Sequence, residues 1–452
     1  TIVSEATNCD FHYSRGPLRR ALVLENPDPV LDELLEGMGI AVERINDAPG
    51  EDELVNLLQS GGHDLIFKRS KVEINERIVS ASPNLAAVML CCIGDDTVDK
   101  QACADRGVMV MNDPVSNGRS VAELVIGELI SLSRRLFDSV PEMAQSVWQK
   151  DSVARYELMG KKVGILGLGA IGRQVAQLAR AMGMEVFFFD SAVVPREVGL
   201  AMGWTACDSI ADLCRACDYV TVHLSATDST GTSNQNVITY EALAAMGDKD
   251  YESPRIFINL ARGFHLAPES LLRAVQDGHI TYAMTDVFPE EPRPSQSGLW
   301  QNPYEGERRI FATPHIGAAT REAQPRIARY VARTTQLFSE YGMLRNCVFR
   351  PRAAMQFELE FAKSILSVVH VDTRGTKKAV DDAIYEAGAN NLRSAHMDFP
   401  GLGMAYDLSA LDRNLDEHQA RELAQAAARM TGDPNAVRSV RAIPLDTETT
   451  AS

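Results

Sequence analysis

The sequence predicts an α/β protein with two doubly wound parallel-sheet domains and a smaller ferredoxin-like domain of βαββαβ order at the C-terminal end. Three observations carry this prediction. Short β-rich runs alternate with helical runs from about residue 20, and a second alternating region begins at "KKVGILGLGAIG". After "NCVFRPRAA" the order changes to strand, helix, two strands, helix and strand. Alternating order is typical of parallel sheets with crossover helices, and the last order is that of a ferredoxin-like unit.

The first alternating region reads strand by strand as "RALVLE", "AVERI", "HDLIFKRS" and "LAAVMLCCIG", with helices such as "PVLDELLEGMG" and "EDELVNLLQSG" between them. The following stretch, "SVAELVIGELISLSRRLFDSVPEMAQSVW", has continuous apolar periodicity and predicts one long, buried connecting helix. The second region then runs to "IFATPHIG", and a helix over 321–341 is expected to return to the first domain.

These elements predict three domains, because 452 residues are too many for one hydrophobic core. The first is discontinuous, and the bounds are 18–115 with 316–345, then 116–315, then 358–446. Within the last, "SILSVVHVD", "NLRSAHMDF", "GMAYDLSAL" and "AVRSVRAI" are the strands, and "KKAVDDAIYEAG" and "DEHQARELAQAAARM" are the helices.

Composition excludes several classes of protein. A formal net charge of -16 opposes binding to nucleic acids and anionic membranes. No apolar run is long enough to span a bilayer, and the first twenty residues lack the order of a secretory signal. Eight cysteines in so long a chain suggest a reducing cytoplasm rather than a disulfide framework. Cys214 and Cys217 form one C-x-x-C without a second pair, so we predict buried thiols and no metal site.

The most informative stretch is "KKVGILGLGAIGRQVAQLARAMGMEVFFFD". Gly167, Gly169 and Gly172 form G-x-G-x-x-G between a predicted strand and a predicted helix, which is the context that makes this weak motif specific. Glycines there allow a tight turn and close approach of a pyrophosphate to the helix N-terminus. Asp190 ends the next strand, where a carboxylate binds ribose hydroxyls and repels a 2′-phosphate. The cofactor predicted is therefore NAD rather than NADP.

Three polar residues follow apolar runs downstream: Arg262 in "INLARG", Glu291 in "TDVFPEEP" and His315 in "TPHIG". Each is expected where a strand of an open sheet delivers its loop, the edge at which such sheets bind ligands. Arginine can hold a substrate carboxylate, histidine can exchange a hydroxyl proton during hydride transfer, and the glutamate can fix the imidazole tautomer. Alternatively the arginine caps or pairs, the glutamate is solvated, and the histidine is simply hydrogen-bonded.

Taken in order, "GLGAIG…D", "NLARG", "DVFPEEP" and "TPHIGAAT" resemble the D-isomer-specific 2-hydroxyacid dehydrogenases, over roughly residues 20 to 445. The resemblance implies that Arg262, Glu291 and His315 are catalytic, that the domain over 116–315 binds NAD, and that the discontinuous domain binds substrate. It also implies that Asp286 holds the nicotinamide amide. The further cofactor contacts implied are Ala170, Ile171, Leu260, Ala261 and Gly317.

Within that family the sequence is most similar to the phosphoglycerate dehydrogenases, which implies oxidation of D-3-phosphoglycerate to 3-phosphohydroxypyruvate, the first step of serine synthesis. Two alternatives remain: reduction of glyoxylate, hydroxypyruvate or 2-oxoglutarate, and dinucleotide sensing by a corepressor-like binding protein. Gly94-Asp95-Asp96 departs from the usual Gly-Thr-Asn and adds two carboxylates near an anionic substrate. Insertions near 247–254 and 295–309 also depart from the family. The substrate contacts implied are Arg69, Lys71, Gly94, Asn117, Trp148 and Lys150, of which Trp148 and Lys150 would reach a partner subunit.

The C-terminal unit resembles an ACT domain, a small-molecule sensor, which implies an amino-acid effector such as serine and a homodimer or homotetramer. A domain that serves only dimerisation is the alternative. Asp372 stands where the family usually has asparagine. The effector contacts implied are His370, Asp372, Gly375 and Asn390.

Overall fold

A computed structural model describes residues 11–292, 300–356, 359 and 361–445. The first ten residues, residues 295–299 of the second insertion, and positions 358 and 446 at the ends of the predicted third domain lie outside the described residues. The strands are β1 (His12–Arg15), β2 (Arg20–Leu24), β3 (Ala41–Ile45), β4 (Leu65–Lys68), β5 (Ala87–Leu90), β6 (Met109–Asn112), β7 (Lys162–Leu166), β8 (Glu185–Phe189), β9 (Thr205–Ala206), β10 (Tyr219–Val222), β11 (Ile256–Asn259), β12 (Tyr282–Thr285), β13 (Ile310–Ala312), β14 (Leu344–Cys347), β15 (Ala353–Met355), β16 (Ser364–Val371), β17 (Asn391–Phe399), β18 (Met404–Leu411) and β19 (Val437–Pro444).

The helices supply the crossovers between these strands. In chain order they are α1 (Val30–Gly37), α2 (Glu51–Gly61), α3 (Glu76–Ala81), α4 (Lys100–Asp105), α5 (Gly118–Ser133), α6 (Leu136–Ala144), α7 (Ala170–Ala181), α8 (Val193–Ala201), α9 (Ile210–Ala216), α10 (Tyr240–Ala244), α11 (Pro268–Gln276), α12 (Ala323–Tyr341), α13 (Thr376–Glu386) and α14 (Glu417–Thr431). The chain divides into two compact units: Thr1–Asp113 with Pro325–Ser452, and Pro114–Gln324. The three-domain division and its bounds stay a prediction.

The first unit contains a sheet of seven strands in the order β15-β14-β6-β5-β4-β2-β3. Strands β2 to β6 pair in parallel, and β4, β5 and β6 are buried at every position. Such continuous burial indicates that helices cover both faces, as the crossover pattern predicts. Strands β14 and β15 extend the sheet in the antiparallel direction and were not predicted.

The same unit contains the C-terminal sheet, ordered β1-β19-β16-β18-β17. From β16 onward the order is β-α-β-β-α-β, which confirms the ferredoxin-like prediction. Helix α14 begins at a capping box, in which Asp416 and Gln419 each accept a hydrogen bond from the other's backbone N–H. The additional strand β1 pairs in parallel with β19 at the sheet edge.

The second unit is built on a fully parallel sheet ordered β13-β12-β11-β10-β7-β8-β9. Buried apolar clusters cover both of its faces. The strand order reverses between β7 and β10, which is the position where open α/β sheets form a ligand crevice at their carboxyl edge. The doubly wound architecture predicted from the sequence is therefore confirmed.

The prediction of one long buried helix after β6 is wrong. The chain breaks between α5 and α6, where Arg135 adopts a left-handed conformation at φ 54° and binds Asp138 at 3.1 Å. Helix α6 contains no buried residue, and its apolar side chains are exposed. Arg134 and Arg135 interrupt the apolar face between the two helices. The apolar residues of α6 keep the helical spacing, but they are not buried.

The C-x-x-C thiols lie in the core of the second unit. Cys214 and Cys217 are fully buried, and burial raises the pKa of the Cys214 thiol to about 12. Both side chains pack in an apolar cluster beside β10, which confirms that they act as small apolar residues. Within the described residues, no helix combines the length and apolar character needed to cross a membrane.

Candidate active site

The glycine-rich turn joins β7 to α7 at the crevice of the second unit. Gly167 has φ +93°, and a Cβ there would lie 2.8 Å from the backbone of His223. A Cβ at Gly172 would lie 2.1 Å from the Gly167 carbonyl oxygen. Among the described residues, and leaving aside its two chain neighbours, no atom lies within 4 Å of a Cβ built on Gly169, the N-cap residue of α7. The turn is thus packed against protein at two glycines and open at the one next to the helix N-terminus, as pyrophosphate binding requires.

Asp190, immediately after β8, is held by the same turn. Its Oδ2 accepts a hydrogen bond from the Leu168 N–H at 2.8 Å, and its Oδ1 accepts one from the Ala192 N–H at 2.9 Å. The half-buried carboxylate therefore lies beside the phosphate-binding turn, at the distance along the chain expected for a ribose ligand. The open glycine, the helix N-terminus and this carboxylate fit a dinucleotide.

We expect Asp190→Ala to raise the KM for NAD by about tenfold and to reduce discrimination against NADP, because charge-assisted hydrogen bonds to ribose are lost. Steady-state rates with both cofactors measure the change. Asp208→Ala, at a side chain 88% exposed, is the matched control and should leave both KM values unchanged. Equal selectivity in the Asp190 variant and the wild type would contradict this role.

The three predicted catalytic residues come from three adjacent parallel strands. Arg262 follows β11, Glu291 follows β12 and His315 follows β13, and these strands are neighbours in the sheet. All three loops therefore emerge at the carboxyl edge. The structure brings these loops together as the sequence analysis expected.

His315 and Glu291 form a direct pair. The imidazole Nδ1 lies 2.7 Å from the Glu291 Oε2, and Glu291 Oε1 accepts a hydrogen bond from the Phe288 N–H at 3.3 Å. Since a carboxylate only accepts, Nδ1 carries the hydrogen and Nε2 is left as the proton acceptor. The His315 side chain is 42% exposed, and its backbone has φ 55°, a conformation that is uncommon for non-glycine residues.

A buried carboxylate holds the loop that carries His315. Asp286 Oδ1 accepts hydrogen bonds from the Thr313 hydroxyl at 2.6 Å and the Ile316 N–H at 2.8 Å. Its Oδ2 accepts one from the Gly317 N–H at 2.7 Å. Asp286 thus positions the histidine loop, a role that the sequence analysis missed; its contact with the nicotinamide amide stays a prediction.

The Arg262 loop is fixed by an internal bridge. The Asn259 side chain donates to the Arg262 carbonyl and accepts from the Ala261 N–H, both at 3.0 Å. A Cβ at Gly263 would lie 1.9 Å from the Phe288 carbonyl carbon, so only glycine lets the two loops approach this closely. Because Phe288 also bonds to Glu291, the arginine loop packs directly against the loop of the acid–base pair.

A second buried acid lies close enough to Asp286 to be affected by its charge. Glu128 of α5 is 3% exposed, and among the described residues neither of its carboxylate oxygens has a hydrogen-bond partner. Burial, with a smaller contribution from the charge of Asp286, raises the pKa of Glu128 to about 8. The lone glutamate inside the apolar run "LVIGELI" is the sequence signal that marks this buried acid.

We expect Glu128→Gln to stabilise the protein at high pH. The pKa of this carboxyl is higher in the folded state than its unfolded value of 4.5, so burying it lowers the unfolding free energy only where the unfolded state would be ionised. This loss begins near pH 4.5, grows with pH, and stops growing above the folded pKa of about 8. The gain in unfolding free energy should be at most about 1 kcal/mol at pH 5 and about 5 kcal/mol well above pH 8, because each pH unit between the two pKa values adds about 1.4 kcal/mol. Urea unfolding at both pH values measures it, with Glu123→Gln, on the exposed face of α5, as control. A pH-independent difference would contradict the buried-acid assignment.

Three substrate contacts were predicted in the second unit. Asn117 lies at the start of α5, and Trp148 and Lys150 lie after α6. Asn117 is the half-buried N-cap residue of α5, and its Oδ1 has no hydrogen-bond partner among the described residues. Trp148 is 79% exposed, and Lys150 is also exposed. Their exposure is compatible with the predicted contact with a partner subunit, which stays a prediction.

In the first unit, Arg69 and Lys71 lie just beyond a strand. Strand β4 ends at Lys68, which is buried and donates to the Arg69 carbonyl, so Arg69 falls outside the strand although "HDLIFKRS" was predicted to include it. Arg69 is half-buried and Lys71 exposed, in a turn held by Glu25, whose carboxylate accepts from the Lys71 N–H. Both remain predicted substrate contacts.

Two departures from the family make defined contacts in the structure. Beside Gly94, the carboxylate of Asp95 lies 3.5 Å from Lys100, which offsets part of the added negative charge. The 247–254 insertion is tied to Asp218, which accepts hydrogen bonds from the hydroxyls of Tyr251 at 3.1 Å and Ser253 at 2.6 Å. Asp218 precedes β10, so this insertion is anchored at the amino edge of the sheet, opposite the candidate site.

The four predicted effector residues differ in exposure and conformation. Asp372 and Asn390 are exposed, and Gly375 is the N-cap residue of α13 with φ +112°. His370 is 1% exposed, with both ring nitrogens in hydrogen bonds inside the domain. Effector binding stays a prediction.

Comparisons with known proteins agree with this geometry. The family model "D-isomer specific 2-hydroxyacid dehydrogenase, NAD binding domain" matches residues 126–317. The D-3-phosphoglycerate dehydrogenase 2 of Saccharomyces cerevisiae is 32% identical over 433 residues, 93% of this chain and 88% of that protein. The D-3-phosphoglycerate dehydrogenase of Haemophilus influenzae is 34% identical over 322 residues, 71% of this chain and 75% of that protein.

A solved structure shares the fold. The glyoxylate reductase from Paecilomyes thermophila superposes with a TM-score of 0.61 at 24% identity, covering 74% of this chain and 98% of its own. At this identity the likeness concerns the fold alone. The relatives' coverage and identity, together with the matched NAD-binding domain, show that this chain belongs to the D-isomer-specific 2-hydroxyacid dehydrogenases.

Proposed function

We propose that this chain oxidises D-3-phosphoglycerate to 3-phosphohydroxypyruvate with NAD as hydride acceptor, the first step of serine synthesis. The observation that carries the proposal is the 2.7 Å pair of His315 and Glu291, packed against the Arg262 loop at the carboxyl edge. The choice of substrate is supported by relatives in yeast and bacteria that are named D-3-phosphoglycerate dehydrogenase.

The residues of this chain divide the chemistry among them. The forked guanidinium of Arg262 binds the substrate carboxylate and orients the hydroxyl-bearing carbon. His315 Nε2 takes the hydroxyl proton, and Glu291 stabilises the imidazolium that results. NAD, held by the glycine turn and Asp190, supplies the hydride acceptor. In the reverse direction His315 returns the proton to the carbonyl oxygen.

Arg69 and Lys71 are proposed to bind the substrate phosphate. Support comes from their charge, from the exposure of Lys71, and from the anchored turn that carries both side chains. Phosphate is a doubly charged group that arginine binds in a bidentate manner, so Arg69 is expected to contribute more than Lys71. The cytoplasmic location and the homodimeric or homotetrameric state stay predictions of the sequence.

We expect Arg69→Ala to lower kcat/KM for D-3-phosphoglycerate by about 100-fold while leaving the rate with unphosphorylated D-glycerate unchanged. Steady-state kinetics on both substrates measures the preference. Arg77→Ala is the matched control, since Arg77 is exposed on α3 and pairs with Glu51 and Asp52. A wild type that uses both substrates equally well would favour the glyoxylate or hydroxypyruvate reductase alternative.

A further inference from the structure

The C-terminal sheet brings two histidines and an aspartate together, far along the chain from the catalytic residues. His396 of β17 lies directly opposite Asp407 of β18, and His370 of β16 pairs with Ala405, two positions along the same face. The His370 Nε2 lies 2.8 Å from Asp407 Oδ2, and the His396 Nδ1 lies 2.8 Å from Asp407 Oδ1. One ligand atom from each of the three residues can be chosen so that all lie within 4.8 Å of one another.

The ring nitrogens that face away from Asp407, here called the outer nitrogens, also make hydrogen bonds. His370 Nδ1 lies 2.8 Å from the Val371 carbonyl, and His396 Nε2 lies 2.7 Å from Asp398 Oδ1. The Val371 carbonyl, the Asp398 carboxylate and the Asp407 carboxylate can only accept, so the inward nitrogens donate their hydrogens to Asp407 when no ion is bound. An ion between the three side chains would take the place of those inward hydrogens. Bonds from the outer nitrogen to a carbonyl or carboxylate are the usual way that metal-binding histidines are oriented.

We propose that His370, His396 and Asp407 bind one divalent transition-metal ion of the Zn²⁺ or Co²⁺ type. Two imidazole nitrogens and one carboxylate oxygen form a ligand set that such ions accept, at about 2.0–2.2 Å each with a water as fourth ligand. An ion would replace the hydrogens that join the two rings to the carboxylate. With one Asp407 oxygen as the ligand, only the nitrogen that contacts this oxygen lies at 2.8 Å, and that contact has to widen by roughly half an ångström to reach tetrahedral spacing.

The surroundings allow an ion to reach the cluster. The His396 side chain is 31% exposed, whereas those of His370 and Asp407 are 1% and 2% exposed, so the cluster opens to solvent on one side. Lys377 of α13 is the competing cation, with its Nζ 3.6 Å from Asp407. The Lys377 ammonium makes a shorter contact, 2.6 Å, with Asp381. Lys377 can therefore move away from Asp407 and keep an ion-pair partner.

The test is a Co²⁺ titration of the full-length protein after treatment with a chelator, followed by visible absorption and by competition with Zn²⁺. We expect one equivalent of Co²⁺ per chain with the absorption of a four-coordinate site. His396→Ala should weaken binding by at least about 100-fold, since changes in residues that only orient the ligands cost 10–100-fold. Asp398→Asn, which alters only the orienting bond, should weaken it by about tenfold.

His418→Ala is the matched control, because His418 lies on α14 of the same domain with a side chain 79% exposed. It should bind Co²⁺ as the wild type does, and circular dichroism should show every variant folded. His396 is at the surface, so its variant tests the site without disturbing the core. Absence of stoichiometric Co²⁺ binding, or equal binding by wild type and His396→Ala, would overturn the proposal.

Discussion

Replacing His315 with alanine is expected to lower kcat by about 1,000-fold, within the range that general acid–base catalysis contributes. The substituted enzyme lacks the Nε2 that takes the hydroxyl proton, while the glycine turn and Asp190 are untouched. NADH binding, followed by fluorescence titration, should therefore match the wild type. Glu291→Gln should retain more activity than His315→Ala, since the imidazole remains and only its orientation and charge stabilisation weaken.

His279→Ala is the matched control for this prediction. His279 is half-buried in the same unit, beside Tyr240 and after α11, at the amino edge of the sheet. It should turn over at the wild-type rate. If His315→Ala bound NADH normally and also retained full turnover, the histidine would have no catalytic role and the corepressor-like alternative would gain support.

Substitution of Arg262 by alanine should lower kcat/KM by about 1,000-fold, because two charge-assisted hydrogen bonds to the substrate carboxylate are lost. Arg262→Lys should recover only part of this loss, since a lysine keeps the charge but cannot form the planar, forked contact. Steady-state kinetics with saturating NAD measures both values, and a separate series with varied NAD should give an unchanged KM for NAD.

Arg215→Ala serves as the control, because Arg215 is exposed on α9 and pairs with Asp212. Its kinetics should equal those of the wild type. Recovery of full activity by Arg262→Lys would contradict bidentate binding of the carboxylate and would leave the arginine a purely electrostatic role.

Local signals made most of the candidate site predictable. The turn after β7 requires glycine for reasons visible in the sequence, and the structure gives the same reasons: a positive φ at Gly167 and no room for a side chain at Gly172. Arg262, Glu291 and His315 each follow a parallel strand of one sheet, so parallel pairing was enough to predict that their loops share one edge.

The features that escaped prediction depend on contacts between distant parts of the chain. Strand β1 has four residues and pairs with β19, more than 400 positions away, so no local pattern marks it. The break between α5 and α6 depends on loss of burial, which apolar periodicity does not register. The roles of Asp286 and the cluster around Asp407 likewise arise only when loops or strands are brought side by side.

The most direct test of the enzymatic assignment is the formation of NADH when the purified protein is mixed with NAD and D-3-phosphoglycerate. We expect NADH to form with the D-isomer and not with the L-isomer, at a rate that the His315→Ala change reduces by about 1,000-fold. Normal binding of NAD without NADH formation from this or any other D-2-hydroxy acid would contradict the dehydrogenase assignment.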